Sequence, residues 1–539
     1  MNAEIATARA AVIEGWFLTA TERGNPDTEI DLRHTRACAY TCGNGVRVLI
    51  DGAEYFARLY DALTSLEPGD DVLFTDWRGD GDECLAGPGT EISAVLASLA
   101  RRSVNVRGLV WRSHVDRLHF SEKENRKFAE TVNDAGGEVL LDERVRRAGS
   151  HHQKLMVLRR ASGSVTAFIG GIDLSHGRHD DQRHDGDDQA VLLDPRYGPR
   201  PAWHDVHLEV TGPAAADVLL TFSERWNDRT PLDHRTPWRM AIRRLAREPR
   251  LPARLPFEAT QQQETGEHAV QVLRTYPAKR PAYPFARRGE RSIARAYLKA
   301  FEQARALVYI EDQYLWSSEA AAALANALRR SPTLRVVAVV PKYPDRDDRF
   351  AGPPYRVAQN RAIAEVMAAG GERVAIYDLE AESGWPIYVH AKVCVIDDIW
   401  LAVGSDNVNR RSWTNDSEAS CAIIDETRDE RDPHDPGGRG DGARALARET
   451  RLRLWNEHTG LDSNRLVDPA AGFDALARSA DALDAWYDNG CKAARPAGRL
   501  RRHRLEPVPP LAKVWARGLY RLLIDPDGRP TALRRRGRF

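Results

Sequence analysis

Tyr388–Asp398 reads YVHAKVCVIDD, and Ser150–Arg160 reads SHHQKLMVLRR. Each sets a His and a Lys two residues apart at the front of an apolar run: His390 and Lys392 in one, His152 and Lys154 in the other. Residues two apart share a face of a β-strand, so each pair predicts a His and a Lys pointing the same way. One such pair is what any surface strand with polar alternation shows. Two of them, each followed by a Gly-containing strand (Gly170–Gly171 and Gly404–Ser405), predict a repeat. The second run ends in Asp397, seven residues after His390; the first has Arg159 at that place.

Working outward, the flanking sequence repeats as well. In the first half, VRVLID, DDVLFTDW, VNVRGLVW, GEVLLDE, QKLMVL, VTAFIGGIDL and DVHLEVTG read as strands, with amphipathic helices such as EYFARLYDALTSL between them. The order then restarts with AVQVLRTYP, ALVYIEDQYL, LRVVAVVPKY, RVAIYDLE, AKVCVID, IWLAVGSDN and ASCAIID. Self-similarity at roughly 240 residues predicts a duplicated α/β domain rather than a solenoid. The expected fold is α/β: two similar halves, each a mixed sheet flanked by helices, related by a pseudo-twofold axis. The expected divisions are 1–235, 265–470 and a C-terminal extension 471–539. A Pro- and Arg-rich connection occupies about 230–265.

Composition bounds the function. The chain has 539 residues, 42% hydrophobic and 29% charged, with Lys+Arg and Asp+Glu both at 78. That balance disfavours a protein that coats nucleic acid. The first residues lack a basic, then apolar, leader, and no apolar run reaches the length of a membrane span. The cysteines are sparse, and Cys394 and Cys421 sit inside apolar strands. A cytoplasmic, reduced protein is expected.

Two facing strands would give one site with two imidazoles and two ammonium groups. Imidazoles titrate near neutral pH and suit a nucleophile and a general acid; lysines suit phosphoryl oxygens. The sequence shows no clustered carboxylates, so no metal and no other cofactor is expected. The constellation predicts a phosphodiester substrate.

These residues resemble the phospholipase D superfamily, whose signature is His-x-Lys-x4-Asp, followed in many members by x6-Gly-Ser-x-Asn. The second copy matches throughout: His390, Lys392, Asp397, Gly404, Ser405 and Asn407. The first matches at His152 and Lys154 and departs at Arg159. FIGGIDLSHGRHD (Phe168–Asp180), WHDVH from Trp203 and YIEDQYLWSS from Tyr309 resemble the lipid-cleaving branch. The resemblance implies catalytic roles for His152, Lys154, His390, Lys392 and Asp397. It implies orienting carboxylates at Asp205 for His152 and at Glu418 for His390, and substrate contacts at Asn407, Ser405, Gly171 and Gln313. It further implies a phospholipid substrate met at a membrane surface by a peripheral monomer, with no nucleic-acid partner favoured; the alternatives are a nuclease of the same superfamily and a non-catalytic scaffold with a decayed first motif. On a regular strand the seventh residue after the His faces away from it, so Asp397 and Arg159 are expected to support the strand rather than react. Arg159 is expected to be solvated in the following turn.

Overall fold

The computed structural model describes residues 11–30, 39–112, 122–190, 193–232, 251–255, 261–315, 317–345, 352–510, 516 and 518–539. Much of the expected connection at 230–265 lies outside them. The strands of the first half are β1 (Thr41–Ile50), β2 (Asp71–Asp76), β3 (Asn105–Trp111), β4 (Glu138–Asp142), β5 (Leu155–Arg159), β6 (Val165–Gly170), β7 (Ala202–His204) and β8 (Val206–Thr211). Those of the second are β9 (His268–Tyr276), β10 (Glu290–Arg291), β11 (Leu307–Asp312), β12 (Arg335–Val339), β13 (Val374–Glu380), β14 (Pro386–Val389), β15 (Lys392–Ile396), β16 (Trp400–Gly404), β17 (Glu418–Asp425) and β18 (Leu500–Arg502).

The repeat is visible in strand order. The first sheet runs β4-β3-β2-β5-β6-β8-β1, with β2, β3 and β4 parallel and the rest antiparallel. The second runs β13-β12-β11-β15-β16-β17-β9 with the same senses. β1 belongs to both, because its early residues pair with β9 and its later ones with β8.

Strand chemistry explains the layering. Along β5, Leu155 and Val157 enter the core shared by the two sheets, while Met156 and Leu158 face the outer helices of the first half. Along β15, Val393 and Val395 join the shared core, and Cys394 and Ile396 face the outer helices of the second half. Strands buried on both faces read as unbroken apolar runs, which is why both His-x-Lys stretches do. The result is helix, sheet, sheet, helix. Each fully buried Leu, Val or Phe stabilises this stack by about 1.5–3 kcal/mol. No helix among the described residues is long and apolar enough to cross a membrane.

The helix Pro469–Asp488 spans residue 471 and sends Phe473, Leu476 and Ala480 into the shared core. β18 then extends the second sheet beside β13. The C-terminal segment is thus built into the second half, and the Phe539 carbonyl accepts hydrogen bonds from Arg295.

The Asp397 and Arg159 positions close the same seam in two ways. Asp397 sits opposite the start of β11 and accepts the backbone N–H groups of Arg305, Ala306 and Leu307, each at 2.8 Å. It is fully buried and its carboxylate is taken up by this seam, as a residue that supports the strand would be. In the first half the carboxylates lie on the other strand. Asp71 stands opposite Arg159 and takes its guanidinium at 2.6 Å, and Asp70 accepts the Ala161 N–H at 2.8 Å and Arg160 Nη1 at 3.0 Å. Arg159 is therefore an ion-pair partner, not a solvated turn residue. Arg159→Asp should set two carboxylates against each other and cost about 2 kcal/mol, the scale of one charge-assisted hydrogen bond. Urea unfolding checks that loss, and kcat should stay within about tenfold because position 159 closes a seam rather than the site.

Candidate active site

The two halves meet through two short parallel pairings, and these place the reactive side chains. β7 pairs with β14, matching Ala202, Trp203 and His204 to Ile387, Tyr388 and Val389. The backbone N–H groups of His390 and Ala391 then donate to the His204 carbonyl at 2.8 and 3.1 Å. This sets Asp205 beside His390. On the other side His151 bridges to Ser417 in parallel, and the His152 N–H donates to the Ser417 carbonyl at 3.0 Å. This sets Glu418 beside His152.

The carboxylates are therefore crossed relative to the sequence expectation. His152 Nδ1 lies 2.9 Å from Glu418 Oε2, and His390 Nδ1 lies 2.6 Å from Asp205 Oδ2. The partners are 266 and 185 residues apart. Each half supplies the acid that orients the other half's imidazole. Sequence position could not show this, because it depends on which edges of the halves pair. With Nδ1–H on a carboxylate, each ring leaves Nε2 for chemistry.

The lysines behave as a repeated device. Lys154 Nζ donates to the His152 carbonyl at 3.2 Å, and Lys392 Nζ donates to the His390 carbonyl. Both motifs lie at the entry to their strands: β5 begins after Lys154 and β15 begins at Lys392. Burial without full compensation pushes the Lys392 ammonium down to about 8, although Asp205 and Asp312 oppose the shift. His390 is held well below its ordinary range, first by burial and then by the positive charges of Lys392 and Arg178. Asp205 is raised, chiefly by burial. If the Lys392 charge holds an anionic substrate, kcat/KM should fall as pH rises through about 8. The same limb in kcat should move to higher pH, since a bound phosphodiester favours the ammonium. A pH–rate series checks both limbs.

The remaining expected residues divide. Asn407 is buried, and its Oδ1 has no hydrogen-bond partner. Ser405 instead donates to Glu418 Oε2 at 2.5 Å, fixing the acid rather than meeting substrate. Gly171 is also spoken for. A Cβ there would stand 2.2 Å from Asp205 Oδ1, so only Gly lets that carboxylate reach His390. Gln313 reaches the site through Tyr388, donating to its hydroxyl at 2.7 Å.

Several neighbours escaped the sequence reading. Asp173 lies 3.3 Å from Lys154 Nζ and 3.4 Å from Arg178. Burial beside Asp173 drives Asp76 well above the carboxylate range. Trp203 packs 4.9 Å from the His390 ring, and Arg178 lies over the Trp203 face at 4.1 Å. The signal was present in GGIDLSHGR and WHD, but neither stretch has a periodicity that marks its side chains. His151, next to His152, is fully buried and kept neutral by burial and by Arg225.

The family model described as "Phospholipase D" matches residues 108–329 and 373–488, which hold both His-x-Lys copies and both carboxylates. The chain belongs to the phospholipase D family. A second family model, "Cardiolipin synthase, PLD-like domain", matches 297–430 of this phospholipase D family chain. Phospholipase D alpha 2 of Oryza sativa subsp. japonica is 24% identical over 462 residues, covering 66% of this chain and 54% of that protein. Phospholipase D alpha 1 of Brassica oleracea var. capitata is 26% identical over 503 residues, covering 71% and 60%. The chain thus spans a little over half the length of these relatives. The crystal structure of phosphatidylserine synthase from Haemophilus influenzae Rd KW20 superposes with a TM-score of 0.50 at 14% identity, covering 89% of this chain and 94% of that one. That likeness concerns the fold.

The fold also gathers what the sequence scattered. Asp51, His184, His204 and Glu457 come together behind Asp205, next to Glu311 and His458. The expectation that the chain offers no clustered carboxylates is corrected by this group.

Proposed function

We propose that the chain cleaves the head-group phosphodiester of a glycerophospholipid, giving phosphatidic acid, or transfers the phosphatidyl group to another alcohol. The observation that carries this is the pair of crossed imidazole–carboxylate contacts with a lysine beside each imidazole. Its resemblance to the lipid-cleaving branch and the plant relatives support the choice of lipid.

In the first step His152 Nε2 attacks phosphorus, and the bond from phosphorus to the head-group oxygen breaks. The bound phosphodiester anion offsets the Lys392 and Arg178 charges that keep His390 neutral in the empty site, so His390 takes up a proton at Nε2 on binding and gives it to the departing oxygen, with Asp205 stabilising the imidazolium in between. In the second step water, or an acceptor alcohol, gives a proton to His390 and attacks phosphorus, and the phosphorus–nitrogen bond to His152 breaks. Lys154, Lys392 and Asn407 hold the non-bridging oxygens as their charge grows. Each proton taken is returned, so the chain ends as it began.

The test compares phosphatidylcholine vesicles with single-stranded DNA in a buffer without added divalent ions. Choline release with no DNA cleavage supports the reading. DNA cleavage without choline release would replace it with a nuclease of the same family, and inactivity on both would leave a scaffold with a decayed site.

A further inference from the structure

The group behind Asp205 has the composition and spacing of a metal centre. His204 Nδ1 stands 2.9 Å from Asp51 Oδ1 and 3.2 Å from Glu457 Oε1, and His184 Nε2 stands 3.1 Å from the same Glu457 oxygen. Ligands around a tetrahedral ion bound at about 2.0–2.1 Å lie about 3.3 Å from one another, slightly wider than this set. All four side chains are at most 2% exposed.

Three further observations point to an ion. The second oxygens, Asp51 Oδ2 and Glu457 Oε2, are buried without a hydrogen-bond partner. His204 carries a carboxylate on the ring nitrogen away from the cluster, Glu311 Oε2 at 2.7 Å from Nε2, whereas Asp180 Oδ2 stands 3.5 Å from His184 Nδ1 without a hydrogen bond. Such an outer carboxylate fixes the tautomer of a metal-binding imidazole. The charge also closes. A divalent ion offsets the two ligand carboxylates, Asp51 and Glu457.

We infer that Asp51, His184, His204 and Glu457 bind one divalent transition-metal ion, of the zinc class by ligand type, that braces the catalytic centre from behind. Two nitrogens and two carboxylate oxygens in a closed, buried set suit a structural rather than a reacting ion. Its effect on catalysis runs through His204, whose carbonyl receives the His390 and Ala391 N–H groups. The ion is not part of the phosphoryl-transfer steps, and the inference does not depend on the substrate.

The experiment is elemental analysis of the full chain, produced with zinc present and passed through gel filtration. About one zinc per chain is expected. Cobalt-grown protein should show the visible bands of tetrahedral Co(II). His184→Ala and the near-isosteric Glu457→Gln should each lose the metal and lower Tm, whereas His152→Ala should keep both. If His184→Ala does not fold, Glu457→Gln carries the comparison. Folded protein with less than a tenth of an equivalent of any divalent metal, and a Tm unmoved by zinc or by chelator, overturns the inference. The cluster would then be a network of protonated histidines between carboxylates.

Discussion

His152→Ala and His390→Ala should each lower kcat at least about 10⁴-fold, and the double variant should be little worse than the worse single one. The reason is that in the proposed mechanism the two imidazoles act in sequence on one phosphorus, so removing either leaves the other with nothing to complete. Residues that act as a unit show this lack of additivity. The nucleophile can be told apart from the acid by an activated diester whose leaving group needs no proton: the acid variant should regain much of its first-step rate on it, and the nucleophile variant should not. A single variant keeping most of its activity would show that one half works alone and would end the two-histidine mechanism.

The carboxylates should have the next largest effect. Glu418→Gln and Asp205→Asn each keep size and a hydrogen-bonding group but lose the charge that holds Nδ1–H. By analogy with acid-to-amide changes in other His-carboxylate pairs, each should cost about 10³–10⁴ in kcat. The crossing makes the result directional. Glu418→Gln should perturb the ring ¹⁵N and ¹H resonances of His152 and leave those of His390 nearly unchanged, and Asp205→Asn should do the reverse. Resonances that move within one half only, Asp205 with His152, would contradict the pairing seen at 2.9 and 2.6 Å.

How much of this could be read in advance depends on range. The duplication, the strands and the residues of both His-x-Lys stretches were legible because short unbroken apolar runs and local spacing write them into a few consecutive residues. The partner of each histidine was not. It is fixed by the pairing of β7 with β14 and of His151 with Ser417, and both of those strand-like stretches are too short to carry a pattern. Ser405 looked like a substrate contact because it sits in a signature, yet its hydroxyl is turned to Glu418. The ion pair of Arg159 was not legible, because Asp70 and Asp71, which take over the seam, lie nearly ninety positions earlier. The buried ligand cluster draws on Asp51, His184, His204 and Glu457, residues that no short window contains.

The crossed acids also work as a safety latch. While the chain is being made, the first half emerges with His152 but without the Glu418 that orients it, and its own Asp205 has no imidazole to serve. A lone half is therefore poorly equipped to form a covalent phosphoryl adduct, whatever diester it meets. The same logic runs backwards on heating. When the two sheets part, both dyads are lost together, so phosphoryl transfer should switch off at the moment of undocking, before either sheet has melted.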